Sequence, residues 1–121
     1  MSTPTESRWQ DIFLHLKKHD FDVYTPGVKV GDCVSPYIVV SHNGATRYTG
    51  ISTMIDTYSV MAYVPKQNYS QLEVMVERVK AVMKKLEPMI LPYGFQTPSY
   101  YDDDFKAHMI SVEYKNYKKM L

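Results

Sequence analysis

Apolar residues recur along this chain with two different periods, and each change of period marks a new element. Trp9, Ile12, Phe13 and Leu16 fall at i, i+3, i+4 and i+7, one stripe of a short helix. Ser7 and Gln10 make a candidate capping box at its start. Lys17, Lys18 and His19 bring positive charge to its C-terminal end, and the helix is expected to stop near Asp20. A longer stripe follows at Leu72, Met75, Val76, Val79, Val82, Met83 and Leu86. Ser70-Gln71-Leu72-Glu73 reads as a second capping box, with Pro88 restricting Glu87 and closing the helix.

Elsewhere the period is two. Residues 37–41 (YIVVS) form a compact apolar strand, and Asn43-Gly44 is a strong two-residue hairpin signal. A longer hairpin with its tip at Gly50 competes with it. Residues 54–64 alternate, with Tyr58, Val60, Ala62 and Val64 on one face and Thr57, Ser59, Met61 and Tyr63 on the other. After the second helix, Ile90 and Leu91 begin a short segment that Pro92, Gly94 and Pro98 are expected to break. Residues 97–101 and 105–117 read as strands flanking the turn Asp102-Asp103-Asp104. In the second of these, Ile110, Val112 and Tyr114 face one way while Ser111, Glu113 and Lys115 face the other, the pattern of a half-solvated antiparallel sheet.

Residues 21–36 read as a loop with turns at Pro26-Gly27 and Gly31-Asp32, in which valines 23, 28, 30 and 34 can form one or two short strands. The loop and the acidic turn have little apolar periodicity and are expected at the periphery. Residues 1–6 are polar and expected to be disordered. The order α-β-β-α-β-β predicts one α+β domain over residues 1–121, an antiparallel sheet with two helices packed on one face.

Composition mostly excludes. A chain of 121 residues is one domain by size. With 14 Lys+Arg against 13 Asp+Glu, the net charge of +1 gives no electrostatic reason to expect nucleic acid. The single cysteine, Cys33, cannot form an internal disulfide, which fits a reducing compartment or one indifferent to cysteine. The N-terminus lacks the regions of a signal peptide, and no apolar run approaches the ~20 residues that span a bilayer. A soluble intracellular product is expected. The 11 tyrosines allow two readings: surfaces that become buried on assembly, or ordinary strand residues.

Candidate chemistry is thin. His15 and His19 lie four apart on the first helix, but no zincin glutamate accompanies them, so a solvated pair at a helix end is expected. Asp102, Asp103 and Asp104 offer carboxylates to a hard cation yet lack the glycine and distal glutamate of a calcium loop, so a solvated turn is expected. Cys33 with His42 or His108 has no flanking signature of a nucleophile and base. The five glycines are spread singly, which is not a phosphate loop. Arg78, Lys80, Lys84 and Lys85 on the second helix are balanced by Glu73, Glu77 and Glu87. The expectation is a protein without catalytic residues, metal or cofactor.

Four segments, in order, carry a resemblance. They are the helix from Trp9 to Leu16, the strand Ser35-Pro36-Tyr37-Ile38-Val39-Val40, and Thr57-Tyr58-Ser59-Val60-Met61-Ala62-Tyr63-Val64 running into the second helix. The fourth is the closing strand with His108-Met109-Ile110-Ser111-Val112-Glu113-Tyr114. Together they resemble the tail-terminator (tail-completion) and neck proteins of long-tailed bacteriophages and phage-like particles. The resemblance covers most of residues 7–117 and rests on residue classes. It implies a subunit of a ring, typically a hexamer, that caps the tail tube and joins it to the head connector. Its place would then be the virion neck, after assembly in the bacterial cytoplasm, and no catalytic residues transfer. Tyr24 and Val28 beside Pro26-Gly27, and Tyr100, Tyr101, Asp102 and Asp103, combine apolar area with turn geometry and are the expected contacts between ring subunits or to the tube. A small-ligand binding or regulatory domain of ferredoxin-like α+β fold is the alternative.

Overall fold

A computed structural model describes residues 7–48 and 53–119. Helix α1 spans Trp9–Lys18 and helix α2 Leu72–Lys84. The strands are β1 (Val23–Tyr24), β2 (Tyr37–Tyr48), β3 (Thr53–Pro65), β4 (Leu91–Gln96), β5 (Tyr100–Asp102) and β6 (Ala107–Lys119). They form one sheet in the order β1-β2-β3-β6-β4, with β5 also beside β6.

The molecule is an α+β fold, as its periodicity predicts, but the sheet is mixed and the order is α-β-β-β-α-β-β-β. Both differences trace to short elements. β1 leaves α1 directly and lies parallel to β2, Val23 opposite Ile38 and Tyr24 opposite Val39, with residues 25–36 making the return crossing. β4 contains Pro92 and Gly94, which were expected to break it. Proline is tolerated on an edge strand, and β4 is an edge, paired only to β6.

Asn43-Gly44 is not a hairpin turn. β2 passes through it with a bulge, its register moving from His42↔Tyr58 to Ala45↔Asp56, and Gly44 takes φ +99°, a conformation that glycine adopts freely. The competing tip at Gly50 lies outside the described residues, as do residues 1–6 and their expected disorder.

Neither capping box forms. Ser70 sits inside a 3-10 turn, Lys66–Gln71, that runs directly into α2, so the Leu72 amide donates to the Tyr69 carbonyl and no side chain caps the helix. At α1 the Ser7 hydroxyl accepts only a long bond, 3.4 Å, from the Trp9 amide.

Both helices lie on one face of the sheet. Cross-strand rows Val40–Val60–Val112 and Ile38–Ala62–Ile110 meet Ile12 and Leu16 of α1 and Leu72, Val76, Val79 and Met83 of α2. The opposite face carries a second, smaller cluster of Cys33, Tyr37, Val39, Tyr63 and Ala107. Tyr37 stacks on Tyr63 at 4.9 Å, and Phe105 meets Tyr63 edge-on at 5.9 Å. Residues 21–36 are therefore not simply peripheral. Phe21 and Val23 enter the main core, and Cys33 helps cover the aromatic pair that would otherwise face water.

Candidate functional site: loops and open sheet edges

The expected contact residues divide between two segments that the fold brings together. The Cys33 amide donates to the Phe105 carbonyl at 2.7 Å, which clasps the 25–36 loop to the turn between β5 and β6. On the loop side, Tyr24 is half-buried, its hydroxyl donating to Asp22 at 3.0 Å and its ring edge-on to Tyr37. That bond to Asp22 favours the neutral phenol and raises its pKa. The Lys29 ammonium lies 4.8 Å from the Tyr24 ring and 5.1 Å from that of Tyr37. Val28 is exposed, and Val30 and Val34 more so, at 81% and 83%.

On the turn side, Tyr100 and Tyr101 are both exposed but point to opposite faces, as successive strand residues must. Tyr100 lies opposite Met109 on the face of the second cluster. Tyr101 lies opposite His108, whose ring is 5.2 Å from Tyr101 and 4.6 Å from Tyr69. Asp102 closes the turn, its Oδ1 accepting from the amides of Asp104 (3.0 Å) and Phe105 (3.4 Å). Asp103 reaches Lys106 at 3.1 Å, and this partner raises the ammonium pKa. Asp102 and Asp103 thus tie the turn to itself.

His15 corrects a sequence expectation. It is not a solvated helix-end histidine: its Nε2 donates to the Val82 carbonyl at 2.8 Å, tying α1 to α2. The reason is that the apolar stripe of α1 packs beside α2, bringing His15 over the last turn of that helix. His19 in turn donates to the His15 carbonyl at 3.0 Å. Arg78 is exposed, but its guanidinium lies 4.4 Å from the Phe21 ring and donates to the His19 carbonyl. Cys33 is buried, donates to the Ser35 carbonyl at 3.3 Å, and has its thiol pushed up by burial, the opposite of an activated nucleophile.

Two surfaces escaped sequence reasoning. The first is β4, where Tyr93 and Phe95 are half or more exposed on the sheet edge. Lys115 sits between the Tyr93 and Tyr117 rings, at 5.5 and 5.1 Å. The only signal was an aromatic alternating with Pro92 and Gly94. The second is a polar network on the face away from the helices. The Glu113 carboxylate accepts from Ser59 (2.8 and 2.9 Å), Ser111 (2.7 Å) and the Asn43 amide (3.2 Å). Three strands contribute, so no local spacing announced it. On the helix face, the buried Asp56 pairs with His42 at 3.0 Å.

An open cleft of about 450 Å³ lies between Lys80 and Lys84 of α2 and the Gly94–Gln96 stretch of β4. Among the described residues no group of three or more His, Cys, Asp or Glu side chains is placed to hold a metal ion. No described helix is long and apolar enough to cross a membrane. No protein-family model matches the chain, and no curated protein matches it.

Proposed function

We propose that this chain is a structural assembly subunit of a phage-type tail, a ring-forming terminator that caps the tail tube and meets the head connector. The reading rests on the four-segment resemblance and is carried by one observation of the fold. Large apolar side chains are left outside a completed core at two places: the end where the 25–36 loop (Val28, Val30, Val34) is clasped beside β5 (Tyr100, Tyr101), and the β4 edge (Tyr93, Phe95). A ring subunit has two unlike flanks and at least one rim, and so needs several such surfaces on one small domain.

The test is to mix the purified chain with tubes of a tail-tube protein from a long-tailed phage and to image the products. Capped tubes with a ring at one end are expected. Tyr100→Ala with Tyr101→Ala, folded by circular dichroism, should leave the tubes uncapped. Bare tube ends and unchanged tube lengths with the wild-type chain would overturn the reading.

A further inference from the structure

We infer that copies of this chain join edge to edge, the outer edge of β4 in one copy pairing antiparallel with the outer edge of β2 in the next. The inference rests on the ring reading above and names its contact.

The strands themselves supply the argument. Across the sheet β2, β3, β6 and β4 alternate strictly in direction, since each neighbouring pair is antiparallel. An even number of alternating strands leaves β4 antiparallel to β2 of its own chain. A second copy, rotated about an axis along the strands, therefore presents its β2 antiparallel to that β4. Head-to-tail addition continues one antiparallel sheet with no parallel mismatch at the joint.

Both edges are open among the described residues. β1 covers β2 only at Ile38 and Val39, with the Ile38 amide donating outward to the Asp22 carbonyl at 2.8 Å. Two residues on, the outward Val40 carbonyl takes the Trp9 indole N–H at 2.8 Å. By alternation the N–H and C=O of His42 point the same way. Ala45 keeps that sense across the bulge, because it faces Asp56 as His42 faces Tyr58. No described strand lies beside this part of β2, and none lies beyond β4. Unpaired edges are templates for another strand.

The side chains are complementary in size. β4 brings Tyr93 and Phe95, half or more exposed, while the open part of β2 brings the small exposed residues Gly44, Ala45 and Thr46. The contact is narrow, because β4 has six residues. That is small against the roughly 800 Å² per partner of a standard stable interface. A lone pair of copies would be weak, and a closed ring, in which every copy uses both edges, is the assembly this contact stabilises.

The experiment is native mass of the full chain across a wide concentration range, for wild type and two variants. Ala45→Pro removes an outward N–H without breaking a bond inside the sheet. Phe95→Asp puts charge on the other edge. Wild type is expected as a closed oligomer, and both variants as monomers with wild-type circular dichroism. In a Cys33→Ser background, Thr46→Cys with Phe95→Cys, treated with a short bis-maleimide, should give a covalent ladder, while each single variant, with no partner thiol across a head-to-tail joint, should stay uncrosslinked. Should either edge variant misfold, the ladder decides alone. Oligomers of unchanged mass in folded edge variants, or no ladder from a double-cysteine variant that is itself oligomeric, would overturn the edge pairing and leave the ring reading standing. A wild type that is monomeric at every concentration, with no ladder from the double-cysteine variant, would overturn both.

Discussion

The Tyr58 hydroxyl donates to the side-chain oxygen Oδ1 of Asn116 at 2.6 Å and accepts from the Arg8 backbone amide at 2.7 Å, so one buried phenol joins the start of α1 to the far part of β6. Tyr58→Phe keeps the ring and removes that joint. The expected loss is about 1–3 kcal/mol, the cost of stripping a partner from buried polar groups. Urea unfolding of the variant measures it, and an unchanged midpoint would count against the link.

Alkaline pH should destabilise the fold more steeply than exposed tyrosines would. Burial pushes Tyr58 and Tyr114 up to about 12, with Glu87 adding to the effect at Tyr114, and it also raises Tyr37 and Tyr63. The folded state holds these phenols neutral, whereas the unfolded chain ionises them near pH 10. Their contribution is complete below about pH 10 and is lost as pH rises toward about 12. Stability curves across this range should fall less steeply for Tyr114→Phe than for wild type.

Val79 is 1% exposed on the face of α2 that meets the sheet. Val79→Asp buries a carboxylate with no cation beside it and should cost several kcal/mol, about 3–5. Thermal unfolding reads this directly, and wild-type stability would mean that the stripe does not pack on the sheet.

Loss of the His15 side chain should cost more than loss of His19. His15→Ala removes the bond to the Val82 carbonyl that ties the two helices, worth about 1 kcal/mol. His19→Ala removes a bond within α1 and should change stability less. Equal losses on chemical unfolding would contradict the helix–helix tie.

Asn43→Asp would exchange a donor to Glu113 for a second negative charge. Repulsion raises a carboxylate pKa in the folded state. The penalty is therefore present above that raised value and relieved as pH falls below the unfolded value near 4. The gap between variant and wild-type melting temperatures should narrow from pH 7 to pH 4.

Legibility followed the range of the interactions. Both helices and the long strands β3 and β6 were readable because each buries one face over three or more turns or pleats, so the period is written locally. β1 was not, because two residues carry no period and their pairing with Ile38 and Val39 is made across a loop. Pro92 and Gly94 predict a break only where every backbone group needs a partner, and an edge strand relaxes that need. Ser70 carried a sound local signal that the preceding 3-10 turn overrode. Of the expected contact residues, Val28, Tyr100, Tyr101 and Asp103 are exposed, while Tyr24 and Asp102 are partly engaged by the fold itself. His15 and the Glu113 network were illegible because their partners lie on other elements.

Cys33 has one more use. It is the chain's single thiol, 6% exposed, held where the 25–36 loop is clasped to the β5–β6 turn. A thiol reagent can attack it only after that segment lifts from the aromatic pair beneath. The rate of labelling is thus a built-in clock for local opening, separate from global unfolding. Anything that settles on this end of the molecule should slow the clock without touching the sulfur.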